Sequence, residues 1–377
     1  MRSIPSTALS HHFGIRVSPP LALLMLLLLA FAAHASEPTE SVADAMAGAR
    51  VSSPTRAYAD AHLHYVDFFQ DSEGMPALIE GMEAAGIEQA ILLGMPVMKK
   101  WHEDEPQRPR YYQGDDAPLY WYSATDVLVA EAVRSLPAGA RRRLAPFISG
   151  FNPNDKHATR HVEAMLELYP GLWAGIGEVF TRHDDLTAMI EGETPRANDE
   201  AMHRIYRLAA KHELPVLLHS NLTSVRESEP IYLPELEEAL QAHPRTRFLW
   251  AHAGTSAEIH RAQGRIPELR GIVEDLLDRH DNLWVDLSWS VLDAYILDAE
   301  GRPREAWLDL LRRHPDRFVI GSDVVGRFGK LQSKMQEFDV VLDALPKDAA
   351  EKIAHGNVAA LLRRGDPRAG AEPSADK

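Results

Sequence analysis

Arg56-Ala57-Tyr58-Ala59-Asp60-Ala61-His62-Leu63-His64 is a short run of small and aromatic residues that closes on two histidines one residue apart. It reads as a first β-strand over 57–64. Side chains two apart on a strand share a face, so His62 and His64 point the same way, with Asp60 two positions earlier. Two imidazoles with a carboxylate behind them form an arrangement for holding a divalent metal. Taken alone, the pair also fits two ordinary histidines at a strand end. Asp60 either orients a histidine through its far ring nitrogen or caps the strand.

Working outward, seven more short apolar runs follow, at 89–94, 144–150, 171–180, 215–220, 247–252, 282–288 and 317–322. Helical stripes lie between them. Ile266, Leu269, Val273, Leu276 and Leu277 make one apolar face, and so do Met202, Ile205, Leu208 and Ala209. Val127, Ala130 and Val133 make a third. Strands alternating with helices imply parallel pairing and right-handed crossovers. Eight such units over 56–364 predict a single-domain α/β fold, a (β/α)8 TIM barrel. An open doubly wound sheet would need a glycine-rich turn after the first strand, where His62-Leu63-His64 stands instead. The stretch 95–123 is the longest interruption. It is expected to be a lid or pocket wall, bringing Trp101, Trp121, Arg108 and Arg110 to the substrate.

The ends of the chain differ from its middle. Arg2 and Arg16 precede an apolar run from Leu21 to Ala33, and Ala33-His34-Ala35 follows as a small-residue cleavage site. Residues 1–35 therefore read as a signal peptide cut after Ala35, which predicts a periplasmic or secreted protein with no membrane contact after cleavage. Residues 36–55 read as a linker and 365–377 as a disordered tail. The formal charge of −15 over 377 residues excludes an electrostatic footprint for nucleic acid. With no cysteine, thiol catalysis and thiolate metal sites are excluded, and any metal must be held by nitrogen and oxygen. The segment Gly326-Arg327-Phe328-Gly329-Lys330 lacks the spacing and the final hydroxyl residue of a P-loop.

The ends of the predicted strands carry the chemistry. Strand one ends in His62 and His64, four in Glu178, five in His219, six in His252, seven in Asp286 and eight in Asp323. In a barrel these ends meet at one mouth. Gathering so many imidazoles and carboxylates at one buried point is costly unless a cation joins them. With its H-x-H pair, His219, His252, Asp323 and the closing Ile353-Ala354-His355-Gly356-Asn357 segment, the chain resembles the amidohydrolase superfamily of metal-dependent hydrolases. The likeness is to its branch of small barrels, which includes decarboxylases and lactonases.

The resemblance implies that His62, His64, His219 and Asp323 are metal ligands. It implies that His252 is a second-metal ligand or, with one metal, a proton donor and carbonyl polariser. Glu178 stands where many two-metal members carry a carboxylated lysine, and a glutamate there can bind or bridge directly, so one ion or two are both expected. Zinc suits these donors, as would manganese, iron or nickel. The chemistry expected is attack by a metal-activated water on an amide, ester or lactone of a small polar molecule, with Asp323 carrying the proton and His252 serving the oxyanion. A one-metal decarboxylase using Arg108, Arg110 or Arg182 is the alternative, and a non-catalytic binding protein a third. Asp286 is expected to support the ligands or to face the pocket, and Trp289 to line it.

Overall fold

The computed structural model describes residues 56–104, 107–109 and 117–363. The signal segment, the linker, the tail and Arg110 lie outside the described residues. The barrel strands are β1 (Tyr58–His64), β2 (Ile87–Leu93), β3 (Leu144–Ile148), β4 (Gly175–Thr181), β5 (Val216–Ser220), β6 (Phe248–Trp250) and β7 (Leu283–Asp286). Two short segments follow, β8 (Phe318–Val319) and β9 (Val324–Val325). All neighbours pair in parallel, in the order β8-β7-β6-β5-β4-β3-β2-β1-β9. The two end segments belong to one stretch of chain. β8 pairs with β7 and β9 with β1, so residues 318–325 act as an eighth strand that closes the barrel. Every expected run coincides with a barrel strand.

Closure is made by a few specific bonds. Ala61 N donates to Ile320 O at 3.0 Å, Asp323 N to His62 O at 2.8 Å and Gly326 N to His64 O at 3.0 Å. Asp60 Oδ1 accepts from both His62 N, at 3.0 Å, and Ser322 N, at 2.9 Å. Gly321 permits the approach, because a Cβ there would stand 2.8 Å from the His62 backbone nitrogen. Asp60 is thus the pin of this seam, and it does not stand behind a ligand ring. The reason is a bulge: Ala61 and His62 of β1 face only Ile91 of β2. An extra residue breaks the two-residue alternation and turns Asp60 towards the last strand.

Two apolar layers sit on either side of the sheet. Inside the barrel, Ala59, Ala61, Ile91, Phe147, Leu217 and Leu249 cluster with Val358 and Leu361 of the final helix, Asn357–Leu362. Asn357 Nδ2 donates to Pro315 O at 2.8 Å and Phe318 O at 2.7 Å, which ties that helix to β8. Outside, the helices lay their apolar stripes on the sheet. Glu200–Lys211 buries Met202, Ile205, Leu208 and Ala209, and Leu269–Arg279 buries Leu269, Val273, Leu276 and Leu277. Thr125–Arg134 differs from expectation: Val129, Ala130 and Val133 are buried, and Val127 is on the solvent side. The 95–123 insertion starts and ends as an antiparallel hairpin, Val97–Lys99 against Leu119–Trp121.

Replacing Asp60 by alanine would leave two buried backbone N–H groups without an acceptor, at a cost of about 2–4 kcal/mol. Asp60→Asn keeps an acceptor oxygen and should lose roughly 1 kcal/mol or less. Urea unfolding of the two variants checks this order.

Candidate metal centre

His62 and His64 meet at the end of β1 with their Nε2 atoms 3.2 Å apart. Each ring is fixed from behind. The His64 Nδ1–H donates to Gly94 O at 2.8 Å, and a carbonyl can only accept, so the His64 Nε2 lone pair faces inward. His62 Nδ1 meets Asp286 Oδ2 at 2.9 Å, which sets the same tautomer. Asp286 also accepts from Ser288 N at 2.9 Å and from Ser288 Oγ at 2.6 Å. It is therefore the group that orients a ligand ring, the role that Asp60 does not take.

Two carboxylates close on this pair. Glu178 Oε2 lies 3.2 Å from His62 Nε2 and 3.3 Å from His64 Nε2. Asp323 Oδ1 lies 3.6 Å and 3.8 Å from the same atoms. Four acceptor atoms thus converge. A tetrahedral metal with bonds of about 2.0–2.2 Å would hold its ligand atoms roughly 3.3–3.6 Å apart. The donor types suit such an ion, and the distances from the two imidazoles to each other and to the carboxylates, 3.2–3.8 Å, bracket that range.

The other oxygen of Glu178 faces a second pair of histidines. His219 Nδ1 is 2.9 Å and His252 Nε2 is 3.7 Å from Glu178 Oε1. His219 stands against Glu178 Oε1 with its Nε2 facing Asn221 Oδ1 at 3.0 Å, and the two groups that could hold an ion are His62–His64–Asp323 and His62–Glu178–His252. The Ser288 hydroxyl gives its one hydrogen to Asp286, so at His252 Nδ1, 2.9 Å away, it can only accept. The His252 Nε2 lone pair then also points inward. Glu178 is placed between the two groups by a second bulge, where Gly177 and Glu178 of β4 face Leu217 of β5. Gly177 has φ +129°, and a Cβ would stand 2.3 Å from Leu217 O, so only glycine fits.

The charges agree with the geometry. Burial opposes ionisation of Glu178, but the charge of a protonated His62 and the hydrogen bonds that His219, His62 and His64 give it when protonated prevail and hold its pKa well below the usual range. Burial likewise opposes a charge on His62, yet Glu178 and Asp323, with Asp286 behind, hold its pKa well above normal. The cluster therefore attracts a positive charge, be it a metal or a proton. His252 is kept neutral, its pKa pushed well down by burial and by His62 beside it. Burial raises Asp323 to about 6, against the pull of His62 and His64 and with the help of Glu178 and Asp286.

An inner chamber of about 280 Å³ opens above Glu178, His252 and Asp323. Its walls are mainly apolar, with Phe68, Met95, Phe180, Leu186, Trp289 and Val325. His183 also lines it. The sequence suggests a loop histidine for packing or solvent, but His183 is buried, stacked on His219 with ring centroids 3.7 Å apart. Its position two residues past the end of β4 was the available signal. Of the expected substrate contacts, Trp289 reaches the inner chamber, and Trp289 and Arg108 reach an outer one. Arg182 does not: it is paired with Glu235 and stacked on Tyr232, 4.0 Å from the ring centre. Trp101 packs edge-on against Phe69 and Trp121 belongs to the hairpin, and neither wall includes them.

A family model described as Amidohydrolase matches residues 59–364, and the chain belongs to that family. Among solved structures it is similar to an uncharacterised TIM-barrel protein, Bb4693, from Bordetella bronchiseptica. The two are 16% identical over 81% of this chain and 98% of the other, with a TM-score of 0.53. It is also similar to an amidohydrolase from Burkholderia multivorans solved with bound zinc. There the identity is 13% over 81% and 99% of the chains, with a TM-score of 0.51. Both likenesses are of fold. No curated protein matches the sequence.

Asp286→Asn would replace the acceptor that fixes the His62 tautomer. Zinc affinity, measured by competition with a chromophoric chelator, should fall about 10–100-fold.

Proposed function

We propose that the chain is an exported metal-dependent hydrolase acting on an amide, ester or lactone. The observation that carries this is the meeting of two oriented Nε2 lone pairs, from His62 and His64, with the Glu178 and Asp323 carboxylates at 3.2–3.8 Å. Uncharged, that contact is repulsive, and a divalent cation resolves it. His62, His64, Glu178 Oε2 and Asp323 would hold one ion. Glu178 Oε1 and His252 would be the ligands nearest a second, with His219 against Glu178. When bound, the cation supplies Lewis acidity that brings the pKa of water at the site towards neutrality.

The remaining work falls to side chains. Asp323 belongs to the walls of both chambers, and burial lifts its pKa to about 6. It is suited to accept the proton of the attacking water as that oxygen bonds to the carbonyl carbon. The same proton then passes to the leaving nitrogen or oxygen as the carbon–heteroatom bond breaks. The neutral His252 presents a lone pair at this point, which favours a ligand or hydrogen-bond acceptor over a proton donor. The apolar walls exclude water from the reacting group and fit a flat or aliphatic body.

The decarboxylase reading asks for an arginine beside the reacting carboxylate. Among the described residues, no lysine or arginine lines the inner chamber, which favours hydrolysis. A binding protein on the same barrel would have no use for a complete set of oriented ligands.

Purified without chelator, the mature protein should carry one or two zinc-like ions by elemental analysis, and His62→Ala should lose them. A wild type that takes up neither zinc nor manganese would overturn the proposal. Protons compete for Asp323, so affinity should weaken as pH falls, by about tenfold or more from pH 7 to pH 5. Amino-terminal sequencing of the exported protein should begin at Ser36.

A further inference from the structure

We infer that the outer chamber binds an anionic group of the substrate remote from the bond that reacts, with Arg327 and Lys330 as its cations. This rests on the hydrolase reading for the reacting end only. The outer chamber measures about 710 Å³ and shares Trp289, Asp323 and Val325 with the inner one, so one molecule can occupy both. Its wall includes Arg327, Gly329 and Lys330, from the glycine-containing segment that does not make a P-loop.

That segment is held rigidly. Gly326 N donates to His64 O at 3.0 Å, and Phe328 N donates to Glu73 Oε2 at 2.8 Å. Gly326 has φ +64°, and a Cβ there would lie 2.8 Å from Asp71 O. Gly326 and Phe328 are buried anchors, whereas Arg327, Gly329 and Lys330 are exposed along the wall. The cations therefore stand on a fixed base, four and seven residues past Asp323.

The acids of this chamber other than Asp323 are already engaged. Glu73 accepts from Phe328, and Glu337 pairs with Lys334 at 2.9 Å. Asp67 Oδ1 accepts from Phe69 N and Asp71 N, at 2.8 and 3.0 Å. Its Oδ2 makes an ion pair with one Arg327 nitrogen at 3.8 Å, too long for a hydrogen bond, so the guanidinium keeps N–H donors for a ligand. Arg108 is paired with Asp71 at 2.6 Å. Among the described residues, no carboxylate pairs with the Lys330 ammonium. Two cations on a rigid loop, in a cavity that continues into an apolar chamber without one, select a molecule with an apolar body and an anionic end.

The test compares 4-phenylbutyrate with its neutral amide by calorimetric titration, on wild type and on Arg327→Gln/Lys330→Gln. Each protein is measured metal-loaded and after chelation, with unfolding temperature as the control for folding. The acid should bind wild type about tenfold more tightly than the amide, or better. That preference should survive chelation and shrink to within about twofold in the double variant. Equal binding of acid and amide, or no binding of either, overturns the inference. So does a preference that survives the double substitution, or one lost with the metal, because the carboxylate then sits at the metal centre. A protein that takes up no metal, yet prefers the acid through Arg327 and Lys330, sinks the hydrolase reading and leaves this one standing.

Discussion

The seam between β1 and the last barrel strand is the constraint on which the rest depends. His62 and His64 lie on one side of it and Asp323 on the other, and the Asp323 amide donates to the His62 carbonyl. The backbone bond that closes the barrel is thus the same one that sets the side chains of the candidate metal centre within reach of each other. Asp60 fastens this seam from inside by accepting from an amide on each strand. Splitting the eighth strand into two short pieces lets Gly321 and Ser322 pass close under β1 while Asp323 turns inward.

Beyond the seam, the centre depends on aimed lone pairs. Gly94 O, Asp286 and the Ser288 hydroxyl each face the back of an imidazole and so decide which nitrogen looks inward. Glu178 then joins two groups of ligands through its two oxygens. The backbone contributes to the aim. Arg182, His252, Trp289 and Asp323 all have positive φ, a conformation uncommon for residues other than glycine, and each follows or ends a different strand.

Much of this was legible in the sequence because a barrel converts strand order into spatial order. Eight apolar runs with acids and histidines at their ends were enough to bring His62, His64, Glu178, His219, His252, Asp286 and Asp323 to one mouth. What was not legible arises where the period of two fails or where distant helices intervene. The bulge beside Asp60 changed its direction, and nothing in local spacing announces a bulge. Arg182 looked available at a strand exit, but Glu235, on a helix 53 residues further on, engages it. His183 lies past a left-handed residue, so its direction could not be counted from the strand. The two chambers, and the loop of Arg327 and Lys330 along the outer one, depend on packing between β-to-α connections that share no sequence pattern.

The hydrogen bonds of the closing seam join residues some 260 positions apart. Such a contact is entropically late: the chain must bring its two ends together before the bond repays the loop. Until then β1 is an open edge, able to pair with other chains. During synthesis the strand that bears His62 and His64 emerges early, but its carboxylate partner Asp323 arrives close to the end. An incomplete chain thus cannot assemble the full cluster of imidazoles and carboxylates, and barrel closure acts as a checkpoint that couples formation of the candidate site to completion of the fold.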